Sequence, residues 1–175
     1  MIHGGPDRAL CHYPREHYAF WAERFPAQAA LFSAPAFGEN LSTEGLTEHN
    51  VFIGDIFRWG EALIQVTQPR SPCFKLNFHF AIPDMASQMQ ESGRTGWLYR
   101  VIAEGEVSAD AALEPVSRLS DISVSEAGLI AWYQPFDDEQ YRRLLSASWA
   151  RTMQKRRLSG VIEDNSRRLW GKAGA

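Results

Sequence analysis

The chain has 175 residues, 19.8 kDa, with 45% hydrophobic and 22% charged residues, which fits one folded core and excludes a disordered or collagen-like chain. A net charge of −3 argues against a dedicated nucleic-acid binder. No apolar run approaches the ~20 residues of a membrane helix; the opening Met1-Ile2-His3-Gly4-Gly5 lacks the basic and apolar regions of a secretory signal; and two cysteines, Cys11 and Cys73, are too few for a disulfide framework, so a reducing, cytoplasmic setting is expected.

Leu10 to Tyr13 reads as the end of a short strand. Pro14 then suits the first position of a helix, with Tyr18, Trp21 and Phe25 at helical spacing and Pro26 as the stop. Phe32 to Leu46 is loop-like, punctuated by Pro35, Gly38, Asn40 and Gly45. From Val51 the period shortens. Ile56-Phe57-Arg58, a turn at Trp59-Gly60-Glu61 and an arm from Ala62 to Gln68 make a hairpin, in which Ile64 and Val66 alternate with Leu63, Gln65 and Thr67. Pro69 and Pro72 cannot donate to a ladder, so the strand ends there. Lys75 to Phe80 is short and aromatic. Pro83 to Glu91 forms a helix with Met85 and Met89 on one side, and Trp97 to Ile102 alternates as another strand.

After Pro115 the pattern is helical to the end. Ser123-x-x-Glu126 is a capping box, Asp137 caps a second helix carrying Tyr141, Leu144 and Leu145, and Trp149 to Leu158 makes a third, closed by Gly160. The expected organisation is a β-rich body over 1–114 and a compact three-helix module over 115–175. Between Ser146 and Ala175 seven basic residues face only Glu163 and Asp164, a local +5 that leaves −8 on the rest. This reads as a solvated helix face that could attract an acidic partner, because aromatics are not interleaved with the charges as single-strand binding would want.

Four ordered motifs carry a resemblance. Tyr13-Pro14-Arg15-Glu16-His17-Tyr18-x-x-Trp21, Phe37-Gly38-Glu39-Asn40-Leu41-Ser42-Thr43-Glu44-Gly45-Leu46, Gln68-Pro69-Arg70-x-Pro72-Cys73-x-Lys75-Leu76 and Gly93-Arg94-Thr95-Gly96-Trp97 come in the order found in MOSC domains. These are relatives of the C-terminal domain of molybdenum cofactor sulfurase. The chain is most similar to the YiiM-like, 6-N-hydroxylaminopurine resistance subgroup, and Trp132-Tyr133-Gln134-Pro135-Phe136-Asp137-Asp138 with Trp149 to Trp170 resembles its helical domain. The fold implied is mixed, β-rich α+β: a MOSC-type β-barrel followed by a three-helix module. Two departures stand out. The subgroup usually carries one more short β-rich segment before the His-Gly-Gly stretch, here at residues 3–5, so the barrel is expected to lack its first strands and to expose a sheet edge. Ala109-Asp110 stands where a Gly-Asp turn is common.

The resemblance implies a molybdenum-dependent oxidoreductase that reduces N-hydroxylated compounds such as 6-N-hydroxylaminopurine, with the molybdenum cofactor (molybdopterin) bound through Cys73. Cys73 follows a strand and has Arg70 and Lys75 nearby; thiolates are the metal-binding form and suit thiophilic metals. From spacing alone it reads first as a buried apolar cysteine, an order that the resemblance reverses, and Cys11 is assigned to the core. Arg70 and Lys75 suit a cofactor phosphate, the first as a bidentate fork and the second as a point charge, or are plain surface cations. Arg94 sits between glycines whose amides could form an anion nest. Gly38-Glu39-Asn40 could line a pterin edge or form a structural turn, and His3 could reach the pocket. His12, His17, His49 and His79 have no shared metal-ligand spacing, and no Walker, dinucleotide or Gly-x-Ser-x-Gly motif occurs. The expected partners are the small-molecule substrate and a flavoprotein reductase as electron donor, with no membrane or nucleic acid. A homodimer stays open. Pyridoxal phosphate binding is carried as a further expectation of the resemblance. The alternative is a non-catalytic carrier of the cofactor or of sulfur.

Overall fold

A computed structural model of the protein describes residues 4–133 and 138–146. His3, Asp137, the third helix and all seven basic residues of the tail lie outside these residues. Five strands form one antiparallel sheet: β1 (Leu10–His12), β2 (Ile56–Trp59), β3 (Ala62–Pro69), β4 (Trp97–Ala103) and β5 (Leu113–Ser117), in the order β1-β4-β3-β2-β5. β1 and β5 stand at opposite ends, so among the described residues the sheet is open; the fold is mixed α+β as expected, with a sheet rather than a barrel. The outer edge of β1 is covered by the loop before it can be exposed: the Asn40 and Leu41 N–H groups both donate to the Cys11 carbonyl, and Tyr13 N–H donates to the Leu41 carbonyl.

The hairpin forms as its alternation predicts, with Trp59 opposite Ala62 across Gly60-Glu61. β5 is a correction to the helical reading of the chain after Pro115. Pro115 lies inside β5, opposite Phe57, and β5 is an edge strand, where a missing N–H breaks no ladder bond. Lys75–Phe80, which had no clear period, is helix α2, with Leu76 and Phe80 buried four residues apart. The turn at Ala109-Asp110 forms without positive φ at either residue, and Ala111 N–H donates to the Ser108 carbonyl.

Helix α1 (Glu16–Arg24) buries His17, Tyr18 and Trp21 and ends before Pro26. α3 (Met85–Glu91) turns Met85 and Met89 inward. α4 (Val124–Trp132) starts at Ser123, whose hydroxyl accepts from the Glu126 N–H at 3.0 Å. α5 (Asp138–Ser146) follows and buries Leu144. No helix among the described residues is long and apolar enough to cross a membrane.

Two apolar clusters fill the structure. One joins Val51, Ile53, Phe57, Ile64, Val66, Trp97 and Tyr99 to Ile122, Val124, Ala127, Ile130 and Leu144, so α4 and α5 share a core with the sheet. The other gathers Tyr13, Tyr18, Trp21, Phe32, Phe37, Leu76, Phe80, Ile82, Met85 and Met89, and it is dense in aromatic pairs, Tyr13 stacked on Phe37, Phe32 stacked on Phe80 and Tyr13 edge-on to Tyr18.

Candidate functional site

A cavity of about 320 Å³ opens on the sheet face opposite the first cluster. It is lined by Gly4, Arg8, Cys11, Gly38, Asn40, Gln68, Arg70, Ser71, Cys73 and Leu98. The register explains the wall. Cys11 stands opposite Leu98, and Leu98 opposite Gln68, so three neighbouring strands put three residues in a row on one face. Their neighbours His12, Trp97 and Tyr99 take the other face and are buried. Gln68 reaches the cavity face only because of a bulge. Val66 pairs with Tyr99 and Gln68 with Leu98, leaving Thr67 as the extra residue, and this inverts the alternation that Ile64 and Val66 establish. The Thr67 hydroxyl, displaced from the ladder, donates within reach of the Asp7 and Leu98 carbonyls at 2.8 and 3.0 Å.

Two loops complete the wall. Arg70, Ser71 and Cys73 follow directly from β3, where the prolines end the strand. The Gly38–Asn40 loop turns at Gly38, whose φ of 72 is a left-handed value that glycine takes without steric cost. Asn40 is bound to β1 rather than to its own backbone: its side-chain oxygen accepts from the Cys11 N–H at 2.8 Å.

Of the residues singled out in the sequence, Cys73, Arg70, Asn40 and Gly38 meet at this cavity. Lys75, Glu39 and Arg94 do not line it. Lys75 is exposed at the start of α2. Glu39 is buried behind the wall, accepting from the Tyr18 hydroxyl and the Phe37 N–H. Arg94 lies over the Phe20 ring, 3.8 Å from its centroid, instead of opening an anion nest. A pyridoxal phosphate imine would need a lysine at the cavity, and Lys75, the one lysine among the described residues, is elsewhere.

Cys11, Gln68 and Arg8 were missed. Cys11 is not a core residue: it is half-buried on the cavity face. The signal available for it was the alternation Leu10-Cys11-His12, which places Cys11 on the face opposite its neighbours. Gln68 had no signal, because a bulge leaves no mark in the residue pattern.

Burial pushes the Cys11 thiol pKa up; the Arg70 guanidinium opposes this and Glu39 adds to it. The Arg70 guanidinium is anchored through Nη2 to the Phe37 carbonyl at 2.6 Å, and its backbone N–H donates to the Gly96 carbonyl at 3.0 Å. Two polar atoms at the cavity are buried without a hydrogen-bond partner: Nη1 of Arg70, a donor, and Oε1 of Gln68, an acceptor on a residue only 3% exposed. An unmet donor and an unmet acceptor on one wall are costly unless a ligand or ordered water satisfies them.

The MOSC domain family model matches residues 1–114. The chain belongs to the MOSC family. Protein YiiM of Escherichia coli K12 is 73% identical over 98% of this chain and 79% of that protein, and YflK of Bacillus subtilis 168 is 45% identical over 89% and 72%. A protein of Gibberella moniliformis named a reductase is 41% identical over 60% of this chain, within 19% of its own length. The crystal structure of YiiM from Escherichia coli superposes with a TM-score of 0.85 at 73% identity, covering 95% of this chain and 85% of that one. That of YiiM from Geobacillus stearothermophilus gives 0.79 at 38% identity, covering 87% and 80%. Membership of MOSC gives the chain a molybdenum-cofactor-related role.

The residues present fit such a cofactor. The cavity has the size of a small-ligand site. It offers thiols for a soft metal, guanidinium groups for a phosphate and an unmet amide oxygen for the N–H groups of a pterin ring.

Proposed function

We propose that this MOSC protein holds the molybdenum cofactor in the cavity of Cys73 and reduces N-hydroxylated compounds such as 6-N-hydroxylaminopurine to amines, detoxifying base analogues. The observation that carries the reading is the meeting of Cys73 and Arg70 on one wall with the partnerless Gln68 Oε1 and Arg70 Nη1. The reductase name of the Gibberella moniliformis relative supports the reaction class.

When bound, the cofactor supplies the two-electron redox chemistry, and the protein supplies ligation and orientation. Cys73 is the thiolate ligand. Arg70 and Arg8 take the phosphate, Gln68 Oε1 accepts from the pterin, and the Gly38–Asn40 loop closes one side. Cys11 is a second thiol on the same wall, kept protonated by its burial. Overall, the N–O bond of the substrate breaks, two electrons and two protons are taken up, and water leaves. The electrons come from a flavoprotein reductase.

The test is expression in a cofactor-producing host, with molybdenum measured per protein and 6-N-hydroxylaminopurine reduction assayed with a reduced flavoprotein reductase. Cys73→Ala is expected to lower bound molybdenum by about tenfold or more and to abolish turnover. Molybdenum content unchanged in Cys73→Ala removes the ligand assignment, and metal binding without turnover in the wild type favours the carrier alternative.

A further inference from the structure

Two glutamates lie buried behind the cavity wall, and each holds a residue that in turn holds Arg70. Glu48 is 2% exposed. Its Oε1 accepts from the Gly96 N–H at 2.6 Å, and its Oε2 lies 2.8 Å from Nε2 of buried His17. The Gly96 carbonyl then accepts from the Arg70 backbone N–H at 3.0 Å. Glu39 is arranged alike. Its Oε2 accepts from the Phe37 N–H at 3.1 Å, its Oε1 accepts from the Tyr18 hydroxyl, and the Phe37 carbonyl accepts from Nη2 of Arg70 at 2.6 Å. His17 and Tyr18 are consecutive on α1, so one helix anchors both carboxylates.

From this arrangement we infer that Glu39 and Glu48 are positioning residues for Arg70, Glu48 fixing its backbone through Gly96 and Glu39 fixing its guanidinium through Phe37, so that Nη1 faces the cavity and can take the cofactor phosphate. The inference rests on the proposed cofactor cavity and reassigns Glu39 from a cofactor contact to a brace. Acting through peptide groups is what makes the arrangement useful. A carboxylate paired directly with the guanidinium would occupy its donors as a fork and cancel its charge toward an anion. With Nη2 on the Phe37 carbonyl and its backbone N–H on the Gly96 carbonyl, Arg70 keeps its charge and one buried donor, and it has less side-chain freedom to lose when a ligand arrives. Gly96 can stand in this chain because it has no side chain: a Cβ there would lie 2.1 Å from the His12 carbonyl oxygen. Burying a carboxylate is costly without full hydrogen bonding, and each of these two receives partners on both oxygens.

The experiment has two readouts. The first is molybdenum and pterin content per folded protein, after expression in a cofactor-producing host, for Glu48→Ala, Arg70→Ala and the double variant. The second is ¹⁵N relaxation at Arg70 Nε in the cofactor-free protein. Glu48→Ala is expected to lower loading about tenfold, and the double variant to load no less than Arg70→Ala alone, because Glu48 acts through Arg70. Arg70 Nε becomes mobile in Glu48→Ala and is restored in Glu48→Gln, whose side-chain oxygen still accepts from Gly96. Losses that add in the double variant, or an Arg70 Nε as rigid in Glu48→Ala as in the wild type, overturn the inference, since a merely structural role lowers stability without this coupling. Tyr18→Phe removes one hydroxyl and serves if Glu48→Ala does not fold; it too should loosen Arg70 Nε, and an unchanged Nε counts against the proposal. Wild-type protein that carries neither molybdenum nor pterin sinks the cofactor reading, while the relaxation result still decides whether the glutamates position Arg70.

Discussion

His12 shows how one residue of β1 serves the core while the residue before it serves the cavity. It is fully buried, with the Trp97 ring tilted against it at a centroid distance of 4.3 Å. Its Nδ1 lies 3.1 Å from the Tyr99 hydroxyl and its Nε2 3.0 Å from the Thr43 hydroxyl. Burial keeps Tyr99 protonated, and the Tyr99 and Thr43 hydroxyls between them hold both ring nitrogens. Burial also pulls the His12 pKa down to about 3, because an imidazolium there would lose its hydration. The unfolded chain, with a histidine pKa of ~6.5, therefore binds more protons than the folded one between those values. Stability is complete above the unfolded pKa and falls as pH drops toward the folded one. Between about pH 7.5 and pH 5 the loss from His12 is expected to be about 2 kcal/mol. Denaturant titrations at both pH values check this, with His12→Gln as the comparison: if the variant keeps the same pH dependence, His12 is not its source. At this scale the sequence singled out Cys73 and Arg70 as candidates, and both line one cavity. It did not show that Cys11 faces that cavity, because a short apolar run does not say which of its two faces is covered.

Elements whose signals are local formed as read. α1, the β2–β3 hairpin, α3 and α4 each have a proline, a glycine turn, an i,i+4 apolar pair or a capping serine at the right place, and these act over a few residues. The Ser123 cap is a measurable case. Ser123→Ala leaves the Glu126 N–H without its acceptor and is expected to cost about 1 kcal/mol, read as a lower denaturation midpoint; an unchanged midpoint would mean that water replaces the hydroxyl. Of the elements set by long-range pairing, β1 and β4 showed in the pattern and β5 did not. β5 carries a proline and no clear alternation, and it exists because β2 offers an unpaired edge. The β3 bulge is of the same kind: it is a relation between Val66, Gln68 and two residues of β4 thirty or more positions away.

Across the whole molecule, the described residues beyond 114 are tied to the sheet. α4 packs on β3, and Val124, Ala127, Ile130 and Leu144 fill the cluster that holds Ile64, Val66 and Tyr99. The sheet and these two helices should therefore unfold together. Ile130→Ala, in a side chain 3% exposed, is expected to cost about 2–5 kcal/mol and to lower one cooperative transition followed equally by tryptophan fluorescence and far-ultraviolet dichroism. Two separated transitions, with only the helical signal shifted, would show that the helices stand apart.

The sequence by itself determined the chemistry available and the family: motif order, a cysteine flanked by cations and the punctuation of the local elements are all written in neighbouring residues. Only the tertiary structure decided which of those groups share a cavity, that Gln68 and Cys11 join them, and that Glu39 and Glu48 stand behind Arg70. The reason is physical. Local signals depend on backbone geometry within one or two turns, whereas the cavity wall depends on strand register, and a single extra residue in β3 exchanges inside for outside.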